Sequence, residues 1–271
     1  MSNDAPQVVA ITGAAGRIGR AVAPFLRNPG RELRLLDRAV PADRDERDRW
    51  FTGDITEPGA LDDAFRGADL VVHLAAHPWE RPWPEILAVN IDGTQKVLDA
   101  AHEAGVPRVL LASSIHAVGY ATPAEAGADD VLVPRPDTFY GVSKAAGEAL
   151  GSVYADRFGM TVVSARICAF NTEVGEGRAL AQWLSPADAA RLVEAAAALD
   201  RPGHHIVWGV SDNAPGWFPL GPGHAIGFHP QDDAVRHVRE RDGVEPPQPE
   251  REEALAGIFA DDEHPLGGEW S

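Results

Sequence analysis

Residues 8–19 read Val8-Val9-Ala10-Ile11-Thr12-Gly13-Ala14-Ala15-Gly16-Arg17-Ile18-Gly19. A short apolar run that stops at glycine reads as a strand buried on both faces. Three glycines spaced three apart follow, and beyond them the stretch from Arg17 to Leu26 has the pattern of a helix. Gly13 permits the tight turn, Gly16 lets a ligand approach the backbone, and Gly19 lets the helix pack close to the sheet. Free N–H groups at a helix start attract phosphate. The stretch, with Arg17 and Ile18 inside it, is therefore a variant of the dinucleotide-binding fingerprint.

Outward from this turn, strands and helices alternate. Further strands are expected at 33–37, 50–54, 69–74, 108–112 and 161–165, with helices at 57–65, 84–104 and Phe139–Phe158. Short connections between such elements predict an α/β fold, a Rossmann-type doubly wound parallel sheet covered on both faces. After Arg166 the regularity fails. A helix is expected at 186–199, followed by short strand-like pieces such as 206–208. The expected division is a nucleotide-binding domain over 1–166 and a small C-terminal substrate lobe over 167–271. Its tail from Gly243, rich in Pro and Glu, reads as an arm packing on a neighbour or as a partly disordered segment.

Asp37 ends the second strand. An acid there accepts hydrogen bonds from the adenosine ribose and disfavours a 2′-phosphate, which points to NAD. Arg38 follows it and leaves some room for NADP. Asp54 and Ile55 suit a contact to the adenine edge, and Leu74, Ala75 and Ala76 are small enough for the backbone to pass close to the cofactor.

Forty-one acids against 24 bases give 271 residues a net charge of −17. That argues against nucleic acid or an anionic membrane as partner, since both require a basic surface. Cys168, the single cysteine, excludes an intrachain disulfide and fits a reducing compartment. Met1-Ser2-Asn3-Asp4 has no basic leader, and no apolar stretch approaches the roughly 18 residues of a membrane helix. A cytoplasmic protein is expected.

The chain has two lysines, Lys96 and Lys144. Lys144 follows Tyr140 by four residues, which stacks both side chains on one helix face. An ammonium there lowers a phenol's pKa, and a phenolate near neutrality is a suitable base for an alcohol proton. His73 and His77 fall across a strand end with no third ligand at a metal spacing, so no metal is expected. His204 and His205 point to opposite strand faces. Cys168 reads as packing, and Trp208 and Trp217 as core of the small lobe.

In order along the chain stand Gly13/Gly16/Gly19, His73-Leu74-Ala75-Ala76, Asn90-x-x-Gly93-Thr94, Ser113-Ser114 and Tyr140-x-x-x-Lys144. Together they resemble the extended short-chain dehydrogenase/reductase superfamily over about residues 7–170. The resemblance implies Tyr140 as acid/base, with Lys144 holding it ionised and contacting the nicotinamide ribose. Ser114 would hydrogen-bond the reacting oxygen, and Asn90 would help hold the site or a proton-relay water. Ser113 reads as a strand-end hydroxyl satisfied locally.

The stretches 113–120, 178–185 and 207–217 are similar to uronate dehydrogenases, which use NAD to oxidise C1 of a hexuronic acid to an aldarolactone. On that likeness Arg178 binds the sugar-acid carboxylate, a task suited to a guanidinium, and His116 touches the substrate. A homo-oligomer is expected. Pro78, Ile115 and Ala169 depart from the pattern where polar side chains would hold sugar hydroxyls, which points to a shifted or different substrate. A nucleotide-sugar epimerase or dehydratase on the same fold is the alternative. An epimerase would need a larger lobe than 167–271, and a dehydratase an acidic pair where Ile115-His116 stand.

Overall fold

The computed structural model describes residues 7–57, 59–128, 132–250, 254–261 and 263–269. The reading of residues 1–4 lies outside them. The six expected strands form as β1 (Gln7–Thr12), β2 (Arg31–Asp37), β3 (Arg49–Thr52), β4 (Leu70–His73), β5 (Arg108–Ser114) and β6 (Thr161–Ile167). Two short strands, β7 (Ala169–Phe170) and β8 (Trp183–Leu184), pair with each other, and β9 (Gly203–Gly209) follows. The main sheet is parallel in the order β3-β2-β1-β4-β5-β6-β9, with the topological switch between β1 and β4.

That order corrects the expected division at residue 167. β9 pairs with β6 along its whole length, from Thr161↔Gly203 to Ile167↔Gly209, and so extends the main sheet. His204 and His205 gave this segment little of a buried strand's apolar character, because it is an edge strand whose first half is only partly covered. Trp208 and Trp217 are both buried in one cluster, as expected, but Trp208 belongs to the main sheet.

Ten α-helical segments frame these strands among the described residues: α1 (Arg17–Leu26), α2 (Asp62–Phe65), α3 (Trp83–Glu85), α4 (Gly93–Glu103), α5 (Pro123–Ala128), α6 (Phe139–Phe158), α7 (Ala179–Gln182), α8 (Pro186–Ala198), α9 (Gly221–Ala225) and α10 (Ala234–Asp242). Successive β1 residues feed opposite cores, as a period of two requires. Val9 and Ile11 meet Val22 and Leu26 of α1 and Leu192 and Val193 of α8. Val8 and Ala10 meet Val97 and Leu98 of α4 and Tyr154 of α6. Among the described residues no helix is long and apolar enough to cross a membrane.

Helix α6 has the expected bounds because both ends are signalled locally. Thr138 Oγ1 accepts from Gly141 N at 2.8 Å, and Gly159 ends the helix at φ +71°. The helix expected at 57–65 shrinks to α2, since Asp54–Glu57 forms a turn and Gly59 adopts φ +76°. The helix expected at 84–104 is interrupted by a π turn, Ile86–Asp92. There Gly93 N reaches back to Ala88 O, while the Thr94 hydroxyl takes the Asn90 carbonyl at 2.6 Å. Such turns re-aim a side chain within a helix, and here the residue is Asn90.

Candidate active site

A groove of about 610 Å³ runs along the C-terminal ends of β1, β2 and β4. It is lined by Gly13, Gly16, Arg17, Ile18 and Gly19, then Asp37 and Arg38, Asp54 and Ile55, and Leu74 to Ala76. Gly13 turns at φ +70°, and a Cβ there would lie 2.6 Å from Ala75 N. No side chain caps α1, so its first N–H groups open into the groove. Asp37 is pinned at the wall, accepting from Ala15 N at 2.9 Å and Arg38 N at 2.7 Å. Thr56 donates to Asp54 from its backbone N–H at 2.9 Å, which first of all holds that carboxyl below its usual range. An open helix start for a pyrophosphate and an anchored carboxylate for a ribose fit a dinucleotide.

A second cavity of about 700 Å³ adjoins it and shares Arg17 and Trp79. Ile115, His116, Cys168, Ala169 and Arg178 line it. Where described, the C-terminal tail packs on its own chain. Leu255 N donates to Ala121 O at 2.8 Å and Ala256 N to Gly119 O at 3.0 Å, which brings Phe259 into the cavity wall. The Arg178 guanidinium lies 5.8 Å from the Phe259 ring centre. Cys168 is set among protein atoms, and burial pushes its thiol up.

His116 is held by a residue that the sequence reading missed. Its Nδ1 donates to Asp137 Oδ2 at 2.7 Å, and the Asp137 side chain is wholly buried. Gly119 makes room for that carboxylate, since a Cβ there would lie 2.3 Å from Asp137 Oδ1. Asp137-Thr138 before a helix looks like an N-cap pair. Thr138 took the cap, and Asp137 was left for the histidine.

Tyr140 and Lys144 lie on α6 with the Lys144 ammonium 5.3 Å from the phenol ring centre. The ammonium donates to Ala112 O at 2.8 Å. Burial pushes the Tyr140 phenol up to about 12, against a hydrogen bond from Ser114 that lowers it. Burial also brings Lys144 down to about 8. In the polypeptide alone, burial thus moves the phenol away from the ionised form. Both groups lose water, and the ammonium is turned to a backbone carbonyl.

Asn90 does not line the groove but clamps His77, which does. It accepts from His77 N at 2.8 Å and donates to His77 O and Ser143 Oγ, each at 3.1 Å. His73 lies between Thr12 Oγ1 at 2.8 Å and Thr94 Oγ1 at 3.0 Å. Since Thr94 gives its proton to Asn90 O, His73 carries its own on Nε2 and accepts at Nδ1. Burial lowers its pKa to about 3, so it stays neutral. Ser113 donates to Glu148 at 2.6 Å rather than being satisfied within its own strand.

A model of the NAD dependent epimerase/dehydratase family matches residues 9–178. An NAD-dependent glucose-6-phosphate dehydrogenase of Haloferax volcanii is 36% identical over 86% of this chain and 97% of its own length. A uronate dehydrogenase of Agrobacterium fabrum is 34% identical over 93% of this chain and 96% of its own. Among solved structures, a mutant uronate dehydrogenase of Agrobacterium tumefaciens complexed with NAD superposes with a TM-score of 0.84. It is 30% identical and covers 97% of this chain and 100% of that one.

Proposed function

The chain belongs to the NAD-dependent epimerase/dehydratase family and is an NAD-dependent sugar dehydrogenase; from that premise we propose that it oxidises the C1 hydroxyl of an anionic aldose, a hexuronate before others, to the lactone. The observation that carries this reading is the pairing of Arg17 and Arg178 on one cavity with His116. Guanidinium groups suit a carboxylate or phosphate at the far end of a sugar. Relatives that act on uronates support the hexuronate.

Bound NAD supplies the hydride acceptor. Gly13, Gly16 and the open start of α1 hold its pyrophosphate, and Asp37 its adenosine ribose. Tyr140 Oη removes the proton of the C1 hydroxyl, and Ser114 Oγ hydrogen-bonds the same oxygen. Lys144 supplies positive charge beneath the phenol. His116, oriented by Asp137, contacts the sugar.

A second reading, a sugar phosphate, is favoured by Pro78, Ile115 and Ala169. Their side chains offer no hydrogen bond to sugar hydroxyls, which places more of the recognition on the anionic group. A relative that acts on glucose 6-phosphate supports it. NADH formation with glucuronate, galacturonate, glucose 6-phosphate and arabinose decides between them. Preference for a uronate upholds the first reading and preference for the phosphate the second. Equal turnover of neutral and anionic sugars, or none at all, overturns both.

A further inference from the structure

Glu80 is 1% exposed and its carboxylate collects backbone N–H groups from two distant segments. Oε1 accepts from Phe139 N at 3.1 Å and from Gly267 N at 2.8 Å, and Oε2 accepts from Tyr140 N at 2.7 Å. Phe139 and Tyr140 open α6. A helix start favours negative charge, and Thr138 already serves the next N–H from its own side chain. Glu80 thus completes the cap of the helix that carries Tyr140.

The third donor comes from the tail. Gly267 lies eight residues after Phe259, the tail ring that stands 5.5 Å from His116 and 6.0 Å from Trp79, the neighbour of Glu80. On the other side of Glu80, Arg81 pairs with Glu269 at 3.3 Å. Residues 79–81 therefore grip the tail at three points while Glu80 grips α6. A buried carboxylate is costly unless its oxygens are met. When the tail leaves, Oε1 keeps only Phe139 N, and the carboxylate is free to shift against Tyr140.

We propose that Glu80 is a positioning residue that couples the seating of the C-terminal tail to the placement of Tyr140, so that the cavity is closed by Phe259 when the base is in register. The proposal rests on the reading of Tyr140 as the base.

The test uses the full-length Gly267→Pro variant, with whichever aldose the unaltered protein oxidises. Proline removes the N–H and cannot adopt the φ of +73° found at Gly267, while the sheet and its two cores stay untouched. The expected result is faster proteolysis within the tail, a kcat lower by roughly tenfold or more and a raised sugar KM. The KM for NAD and the Tm stay near those of the unaltered protein. Glu80→Gln lowers kcat in the same way, and the double variant is no worse than the poorer single one. A Gly267→Pro variant with kcat and sugar KM within about twofold of the unaltered protein overturns the coupling, whether its tail is released or stays seated, since a twofold change is far below the cost of a misplaced base. If the unaltered protein oxidises no aldose, the functional reading fails instead, and the proteolysis comparison still reports whether Glu80 holds the tail.

Discussion

The His116 imidazole and the Asp137 carboxylate meet at 2.7 Å, with the aspartate side chain wholly withdrawn from solvent. The carboxylate fixes a proton on Nδ1, a choice that a histidine alone does not make. The same imidazole stands edge-on to Tyr140 with ring centres 5.6 Å apart. Asp137→Asn keeps the shape and removes the charge. We expect kcat/KM for the sugar to fall roughly 10–100-fold, the value of one charge-assisted hydrogen bond, with NAD binding retained. Unchanged steady-state kinetics would show that the tautomer of His116 does not matter.

Tyr140→Phe tests the proposed base directly. Its kcat should drop by roughly 10²–10⁴ while the Kd for NAD, measured by fluorescence, moves little. In the cofactor-free protein the phenol pushed up to about 12 remains protonated well past its ordinary value of 10.0. The difference in phenolate absorbance between the unaltered protein and Tyr140→Phe should therefore stay flat through that ordinary value and rise only beyond it. A signal that rises below pH 9 contradicts the burial of the phenol.

Lys144 makes a prediction about stability. Burial lowers it from 10.5 to about 8, so between those values the unfolded chain binds the proton that the folded chain has released. Stability then rises with pH across that window, and below pH 8 the full cost of burying the charge is present. Lys144→Met should raise Tm by roughly 2–4 °C at pH 7 and lose that advantage towards pH 10.5. An equal Tm difference at both ends of the window would refute it. The same variant should lose activity, because the substitution also removes the charge beneath the phenol.

Behind Ser113 lies a buried ion pair. Arg166 Nε and Nη2 each donate to Glu148 at 2.8 Å, and Nη1 donates to Leu132 O at 3.0 Å. Glu148→Ala leaves a guanidinium without its charge partner in the core and should cost about 3–5 kcal/mol, read from the urea midpoint. Adding Arg166→Met should recover much of the loss. A single variant as stable as the unaltered protein would mean that water reaches the site.

We expect Asp37, at the wall of the groove, to govern which dinucleotide is accepted. Asp37→Ser removes the pinned carboxylate that repels a 2′-phosphate and leaves Arg38 beside it. The KM for NAD should rise roughly tenfold, about the value of one lost hydrogen bond to a charged group, and NADP should become usable. An unaltered preference for NAD would place the discrimination elsewhere in the groove.

Much of this molecule was legible in order along the chain. The run into Gly13, Gly16 and Gly19, the acid at Asp37 and the caps of α6 are short-range signals, because a turn or cap is decided by residues within a few positions of each other. The π turn was not legible, since it depends on Thr94 and Asn90 being drawn to His73 and His77 across the fold. Nor was the role of Glu80, whose donors come from positions 139, 140 and 267.

The sequence by itself determined the doubly wound sheet, the nucleotide groove and the adjacency of Tyr140 to Lys144, because period and spacing set which side chains share a face. Only the tertiary structure decided that the tail lines the second cavity, that Asp137 serves His116, and that burial raises the phenol's pKa. Those outcomes depend on which surfaces lose water when distant segments meet, and spacing along the chain carries no measure of that.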